Sequence, residues 1–177
     1  MERVVLVDAG DRAVGTAEKL AVHRSGECHR AFSVFVWNDR QELLLQRRAL
    51  TKYHAGGLWT NTCCSHPRPG ELPRLAAQRR LREEMGLVCP LTHQFTFTYR
   101  ADLGDGWWEH ECDWVFFGRF AGVPTPHPAE AMAWQWVPWP ELQADVAAHP
   151  ERYTPWLRIC LPQVSQALTT FFAGATP

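Results

Sequence analysis

A cysteine and a histidine stand two residues apart in Trp59-Thr60-Asn61-Thr62-Cys63-Cys64-Ser65-His66, just before the turn-forming Pro67-Arg68-Pro69-Gly70. If Thr60–Cys64 is a β-strand, as its β-branched residues suggest, alternation turns Cys64 and His66 to one side. A nucleophile or proton donor and a metal ligand then share one pocket. Glu109 and Glu111 repeat the same spacing on a strand expected from about Trp107 to Phe120, on a face that Val115 and Phe117 otherwise make apolar. Carboxylates on such a face need a cation or a proton, because burying each one unpaired costs on the order of several kcal/mol. His23 and His29 are by themselves weak evidence for a metal, exposed or satisfied core histidines being commoner than ligands. Arg47, Arg48 and Lys52 read most simply as a solvated basic edge, unless Lys19 and Arg80 join them around one anion.

The elements that must hold these residues are readable in outline. Met1 to Asp8 reads as a first strand through Val4, Val5, Leu6 and Val7, and Ala31–Asn38 and Glu42–Arg47 form a hairpin across Asp39-Arg40-Gln41. A helix starts at Pro73 and runs to about Met85. Ala77, Leu81 and Met85 give it an apolar stripe, Arg79 with Glu83 and Arg80 with Glu84 are i,i+4 ion pairs, and Gly86 is its stop. Phe95–Arg100 alternates as a half-buried strand, Met132–Val137 is another, and two Pro-punctuated helices close the chain, one after Pro140 to about His149 and one from about Thr154 to Phe172.

The 177 residues suit one domain with a sizeable core. A net charge of −1 argues against a nucleic-acid binder, no apolar run approaches a membrane span, and Met1-Glu2-Arg3-Val4 lacks the plan of a signal peptide, so a cytoplasmic protein is expected. The six cysteines contain no Cys-x-x-Cys pair and are read as free thiols, with Cys63 in the core and no role for Cys28. His54, His93, His110, His127 and His149 are given surface or packing roles.

The run from Glu71 to Leu87 resembles a Nudix box (Gly-x5-Glu-x7-Arg-Glu-U-x-Glu-Glu-x-Gly-U) through Glu71, Arg79, Leu81, Glu83, Glu84, Gly86 and Leu87. Ser65 stands where that motif has its first Gly, and Arg80 where it has the Glu of the Arg-Glu pair. In Nudix hydrolases such carboxylates hold Mg²⁺ at a diphosphate, so Arg80 argues against ordinary hydrolysis. More of the chain is similar to the isopentenyl-diphosphate isomerases of the metal-dependent class, a branch of the Nudix fold: Glu18-Lys19 to His23, His29-Arg30-Ala31-Phe32-Ser33, Arg47-Arg48-Ala49-Leu50-Thr51-Lys52, Trp59-Thr60-Asn61 to Cys64-Ser65-His66-Pro67, Tyr99-Arg100-Ala101, Glu109-x-Glu111 and Thr154-Pro155-Trp156.

The resemblance implies an α+β fold, an α/β/α sandwich with a mixed sheet between helices, as one domain over residues 1–177. It implies that His23, His29, His66, Glu109 and Glu111 hold one divalent ion, Mn²⁺, Mg²⁺ or Zn²⁺, which is the cation the inward carboxylates require. Mg²⁺ would bridge Glu84 and the substrate diphosphate, with Lys19, Arg48, Lys52 and Arg80 on its oxygens. The implied reaction converts isopentenyl diphosphate to dimethylallyl diphosphate by a 1,3-allylic proton shift. Cys64 and Glu111 flank the alkene, Tyr99 bonds near the carboxylate, and Trp156 faces the cation. Glu111 with Tyr99 is favoured as donor and Cys64 as acceptor. The expected partner is the small substrate, without nucleic acid or membrane, and the expected state is a monomer. Two alternatives stay open at this point: a Nudix hydrolase of a nucleoside diphosphate derivative, and a metal-binding module without catalysis.

Overall fold

The split in one mixed sheet is the feature that creates the site. The computed structural model describes residues 2–174. Its elements run β1 (Arg3–Val7), β2 (Ala13–Glu18), α1 (Lys19–Ser25), β3 (His29–Trp37), β4 (Glu42–Arg48), β5 (Trp59–Thr60), β6 (Cys63–Ser65), α2 (Pro73–Met85), β7 (Leu91–Gly104), β8 (Trp107–Arg119), β9 (Ala131–Pro138), α3 (Trp139–Ala148) and α4 (Pro155–Ala173). β8 runs parallel to β3 along all nine residues from His29 to Trp37. A strand has two edges, so the other neighbours of β3 share the opposite one: β1 at His29, β6 at Phe32–Val34, and β4 at Trp37 alone. Beyond its turn β4 therefore leaves β3 and pairs with β5 and β9 instead.

The segment expected as one strand, Thr60–Cys64, is two short ones broken at Asn61-Thr62, because the chain crosses from β4 to β3 there. Side chains replace the missing ladder. The Thr62 hydroxyl donates to the Leu44 carbonyl at 2.6 Å and accepts from the Val36 N–H at 2.9 Å. Asn61 Nδ2 donates to the carbonyls of Cys63 and Val34. Buried backbone groups in the gap are thus satisfied, as they must be.

Alternation on β3 separates two cores. Phe32, Val34 and Val36 face α2, where Ala76, Ala77, Leu81 and Met85 form the predicted stripe. Phe35 and Trp37 face the opposite layer with Leu142 of α3 and Leu157 and Val164 of α4. Helices on both faces of a mixed sheet make the α/β/α arrangement expected from the sequence. The ion pairs Arg79–Glu83 and Arg80–Glu84 form at 3.3 and 2.7 Å. Gly86 ends α2 at φ +65°, and a Cβ there would strike Thr125, whose N–H is held by the Met85 carbonyl at 3.0 Å. That close approach ties the Pro-rich loop before β9 to the end of α2. Among the described residues all six cysteines are free, and no helix is long and apolar enough to cross a membrane.

Thr62→Val keeps the shape of the side chain but leaves the Val36 N–H and the Leu44 carbonyl without partners. A loss of roughly 2–4 kcal/mol is expected in urea unfolding; an unchanged midpoint would show that the crossover is not held by this hydroxyl.

Candidate active site

Strand register assembles a buried cluster. On β8, Glu109 and Glu111 point to one face; Glu111 stands opposite His29 on β3 and opposite Tyr99 on β7. The seven-residue α1, capped by Glu18 and stopped by Gly26 at φ +72°, supplies His23, and the end of β6 supplies His66. The ligand-type atoms of His23, His29, His66, Glu109 and Glu111 all lie within 4.8 Å of one another, and every one of these residues is buried.

The ring orientations are fixed from behind. His23 Nδ1 bonds the Lys19 carbonyl at 2.7 Å and His29 Nδ1 bonds the Glu27 carbonyl at 2.9 Å, so both rings turn Nε2 into the cluster. There His29 Nε2 and His66 Nε2 are 3.2 Å apart, and His66 Nε2 lies 2.8 Å from Glu111 Oε1. His23 Nε2 and Glu109 Oε2 face each other at 3.2 Å, yet neither has a hydrogen-bond partner. Buried polar atoms left without partners around a common centre are what an ion-binding site leaves, and the mixed imidazole and carboxylate donors fit a divalent ion.

The electrostatics agree. Burial, then the neighbouring Glu111, raises Glu109 well above the ordinary carboxylate range. Burial pushes Glu111 the same way, but hydrogen bonds from His29 and His66 overcome it and hold that carboxyl well below its usual value. Burial also lowers His23 and, more strongly, His66, so both imidazoles are kept neutral and available as ligands. Without an ion, burial and the charge of Glu111 therefore favour the protonated form of Glu109 over that of Glu111.

A pocket opens beside the cluster. It is lined by Cys64, Tyr99, Glu111 and Trp156 together with the cations Lys19, Arg48, Lys52 and Arg80 and with Glu84. Tyr99 donates its hydroxyl to Glu111 Oε2 at 2.6 Å. Burial raises the Cys64 sulfur to about 12 even though Arg48 pulls the other way, so the group is a thiol rather than a thiolate. Trp156 Nε1 donates to Thr60 Oγ1 at 2.9 Å, which locks the indole, and the Arg48 guanidinium lies 5.1 Å from the ring centre. Glu84 is buried with Oε1 on Arg80 at 2.7 Å and Oε2 on Gln46 at 2.9 Å. Arg80 Nε also reaches Oε1, at 3.1 Å, so both lone pairs of that oxygen are taken, while Oε2 keeps one free to face a cation.

Every residue expected at the site from the sequence lies at the pocket or in the cluster behind it, and Cys63 is in the core as anticipated. His54 is not the surface or packing residue expected. Its buried ring lines the pocket, with Nε2 3.2 Å from Glu109 Oε1. The turn carrying it has no periodicity that would reveal its direction. Two further residues carried no motif. Glu130, at the end of the Pro-rich loop, bridges Arg80 at 3.0 Å and Lys52, two cations that line the pocket. Asp113 continues the alternation of Glu109 and Glu111 inward and accepts from Ser33 Oγ at 2.8 Å, so parity alone would have found it.

Comparison with known proteins gives the same family on independent grounds. Residues 28–157 match the NUDIX domain model. Isopentenyl-diphosphate Delta-isomerase 2 of Aromatoleum aromaticum is 52% identical over 174 residues, which is 98% of this chain and 92% of that protein. The Delta-isomerases of Halorhodospira halophila and Pectobacterium atrosepticum are 52% and 47% identical over 89% and 93% of this chain, and 92% of each of those proteins is covered. Among solved structures, a protein from Deinococcus radiodurans superposes with a TM-score of 0.78 at 20% identity, covering 92% of this chain and 98% of that one. The MutT protein of Methanosarcina mazei Go1 gives 0.66 at 16%, covering 78% and 94%. At those identities the structures speak for the fold alone.

The upward shift of Glu109 generates a linkage prediction. An ion favours the deprotonated carboxylate, so affinity for Mn²⁺ should climb as pH rises toward the raised value of Glu109, while His23 and His66, already neutral, release nothing near neutrality. Calorimetry in buffers of different ionisation enthalpy should show about one proton released per ion. A binding heat independent of the buffer would mean that Glu109 is already ionised in the ion-free site.

Proposed function

The chain belongs to the isopentenyl-diphosphate Delta-isomerases of the Nudix family, and from that premise we propose how its own residues carry the reaction. The protein is an isomerase that converts isopentenyl diphosphate to dimethylallyl diphosphate. One proton is added to the terminal alkene carbon and one is lost from the carbon on the other side of the developing tertiary cation. An unactivated alkene is a weak base, so the acid must be held against it in a dry site.

Cys64 and Glu111 are the proton-handling pair, and the observation that carries this reading is their position on one pocket that Lys19, Arg48, Lys52 and Arg80 also line. Those four cations suit a diphosphate, to which guanidinium groups can offer paired donors. Tyr99 bonds one oxygen of Glu111 and supports it as the donor; Cys64 is then the acceptor. In the ion-free site Cys64 holds the proton and Glu111 does not, so this direction requires Glu111 to take up a proton and Cys64 to lose one before turnover, against the order that burial and the hydrogen bonds set there. The buried indole of Trp156 offers a π face to the cation, fixed by Thr60. His23, His29, His66, Glu109 and Glu111 would hold a divalent ion, with Mn²⁺, Mg²⁺ and Zn²⁺ the candidates, whose charge would allow both buried carboxylates to ionise. Mg²⁺ is the ion proposed to accompany the diphosphate at Glu84.

Arg80 distinguishes this chemistry from hydrolysis. Where a hydrolase carries a metal-binding carboxylate, this guanidinium is held ionised by Glu84 and Glu130 despite burial, and so adds positive charge for the diphosphate instead of a further ion ligand.

Cys64→Ala should lose about 10²–10⁴-fold in turnover while keeping its ion content by elemental analysis; near-normal turnover would remove the sulfur from the reaction. Arg80→Ala should weaken inhibition by inorganic pyrophosphate by about tenfold or more, the worth of a charge-assisted hydrogen bond. Unchanged inhibition would take Arg80 out of the diphosphate site.

A further inference from the structure

We infer that His54 is a positioning residue of the ion site, orienting the Glu109 carboxylate from outside the ligand set. The inference rests on the reading of that set as an ion site. The two oxygens of Glu109 meet different imidazoles: Oε2 stands 3.2 Å from His23 Nε2, and Oε1 stands 3.2 Å from His54 Nε2. The His54 side chain is 6% exposed, and neither ring nitrogen has a hydrogen-bond partner, so the ring holds an unused N–H donor beside a carboxylate oxygen.

The ring is confined on several sides. It stacks on the His23 ring at 5.7 Å and 24°, and meets Trp156 edge-on at 5.7 Å. Its backbone carbonyl accepts from Arg48 Nη2 at 3.2 Å, and the following turn, with Ala55 at φ +50° and Gly57 at φ +79°, fixes the chain direction. A metal-bound carboxylate whose other oxygen is hydrogen-bonded loses rotational freedom and keeps its bound geometry. Such outer contacts are worth roughly 10–100-fold in ion affinity.

Two substitutions separate positioning from packing. His54→Phe keeps an aromatic ring against His23 and Trp156 but removes the nitrogens, whereas His54→Gln removes the ring and keeps an N–H donor. Equilibrium dialysis of the full ion-free chain against Mn²⁺, read by elemental analysis, should show His54→Phe weaker by roughly 10–100-fold and His54→Gln within a few-fold of wild type. Wild-type affinity in His54→Phe, or a loss in His54→Gln as large as in His54→Phe, would overturn the inference. Failure of the wild-type chain to take up an ion would overturn the ion-site reading and this inference with it.

Discussion

Two carboxylates at adjacent inward positions of one buried strand cannot both carry charge unless something cationic stands between them, and the arrangement around Glu109 and Glu111 follows from that requirement. Their separation by the period of the strand puts them on one face. Register then brings His29 and Tyr99 to either side of Glu111, while α1 and the end of β6 bring His23 and His66. The imidazoles of His23 and His66 are kept neutral by burial, which costs stability in the ion-free state but makes them ready donors. Structure and function meet in Glu111, which faces the cluster with one oxygen and the Tyr99 hydroxyl with the other.

The split between β3 and β4 supplies the second half of the site. A continuous hairpin would have sealed this region with ladder hydrogen bonds. The crossing segment from Trp59 to Ser65 fills the gap with satisfied side chains, and so delivers Cys64 to the pocket while Cys63 turns into the core. The same segment holds Trp156 through Thr60, so the sulfur and the indole are positioned by one buried network. Glu130 arrives through the loop locked to the end of α2 by Gly86, and draws Lys52 and Arg80 toward one point.

What the sequence made legible was local and periodic. The stripe on α2, its ion pairs, its glycine stop and the paired glutamates all follow from helical or strand spacing, and each is found as read. The family resemblance added the ligand set and the cation set. Features that depend on long-range approach stayed hidden. The break at Asn61-Thr62 reflects a change of strand partner, which no local propensity encodes. His54 lies in a glycine-rich turn where neither 2.0 nor 3.6 periodicity applies, and Glu130 follows a run of prolines. Asp113 was readable by parity alone, since it stands two residues beyond Glu111 on the same face.

The most direct test of the account is to incubate the ion-loaded protein with isopentenyl diphosphate in deuterium oxide and follow product and phosphate by NMR. Protonation by a solvent-exchangeable acid and removal by a separate base predict dimethylallyl diphosphate with deuterium in the newly formed methyl group and no inorganic phosphate. Product without solvent label would contradict a two-residue proton shift, and release of phosphate without isomer would contradict isomerisation itself.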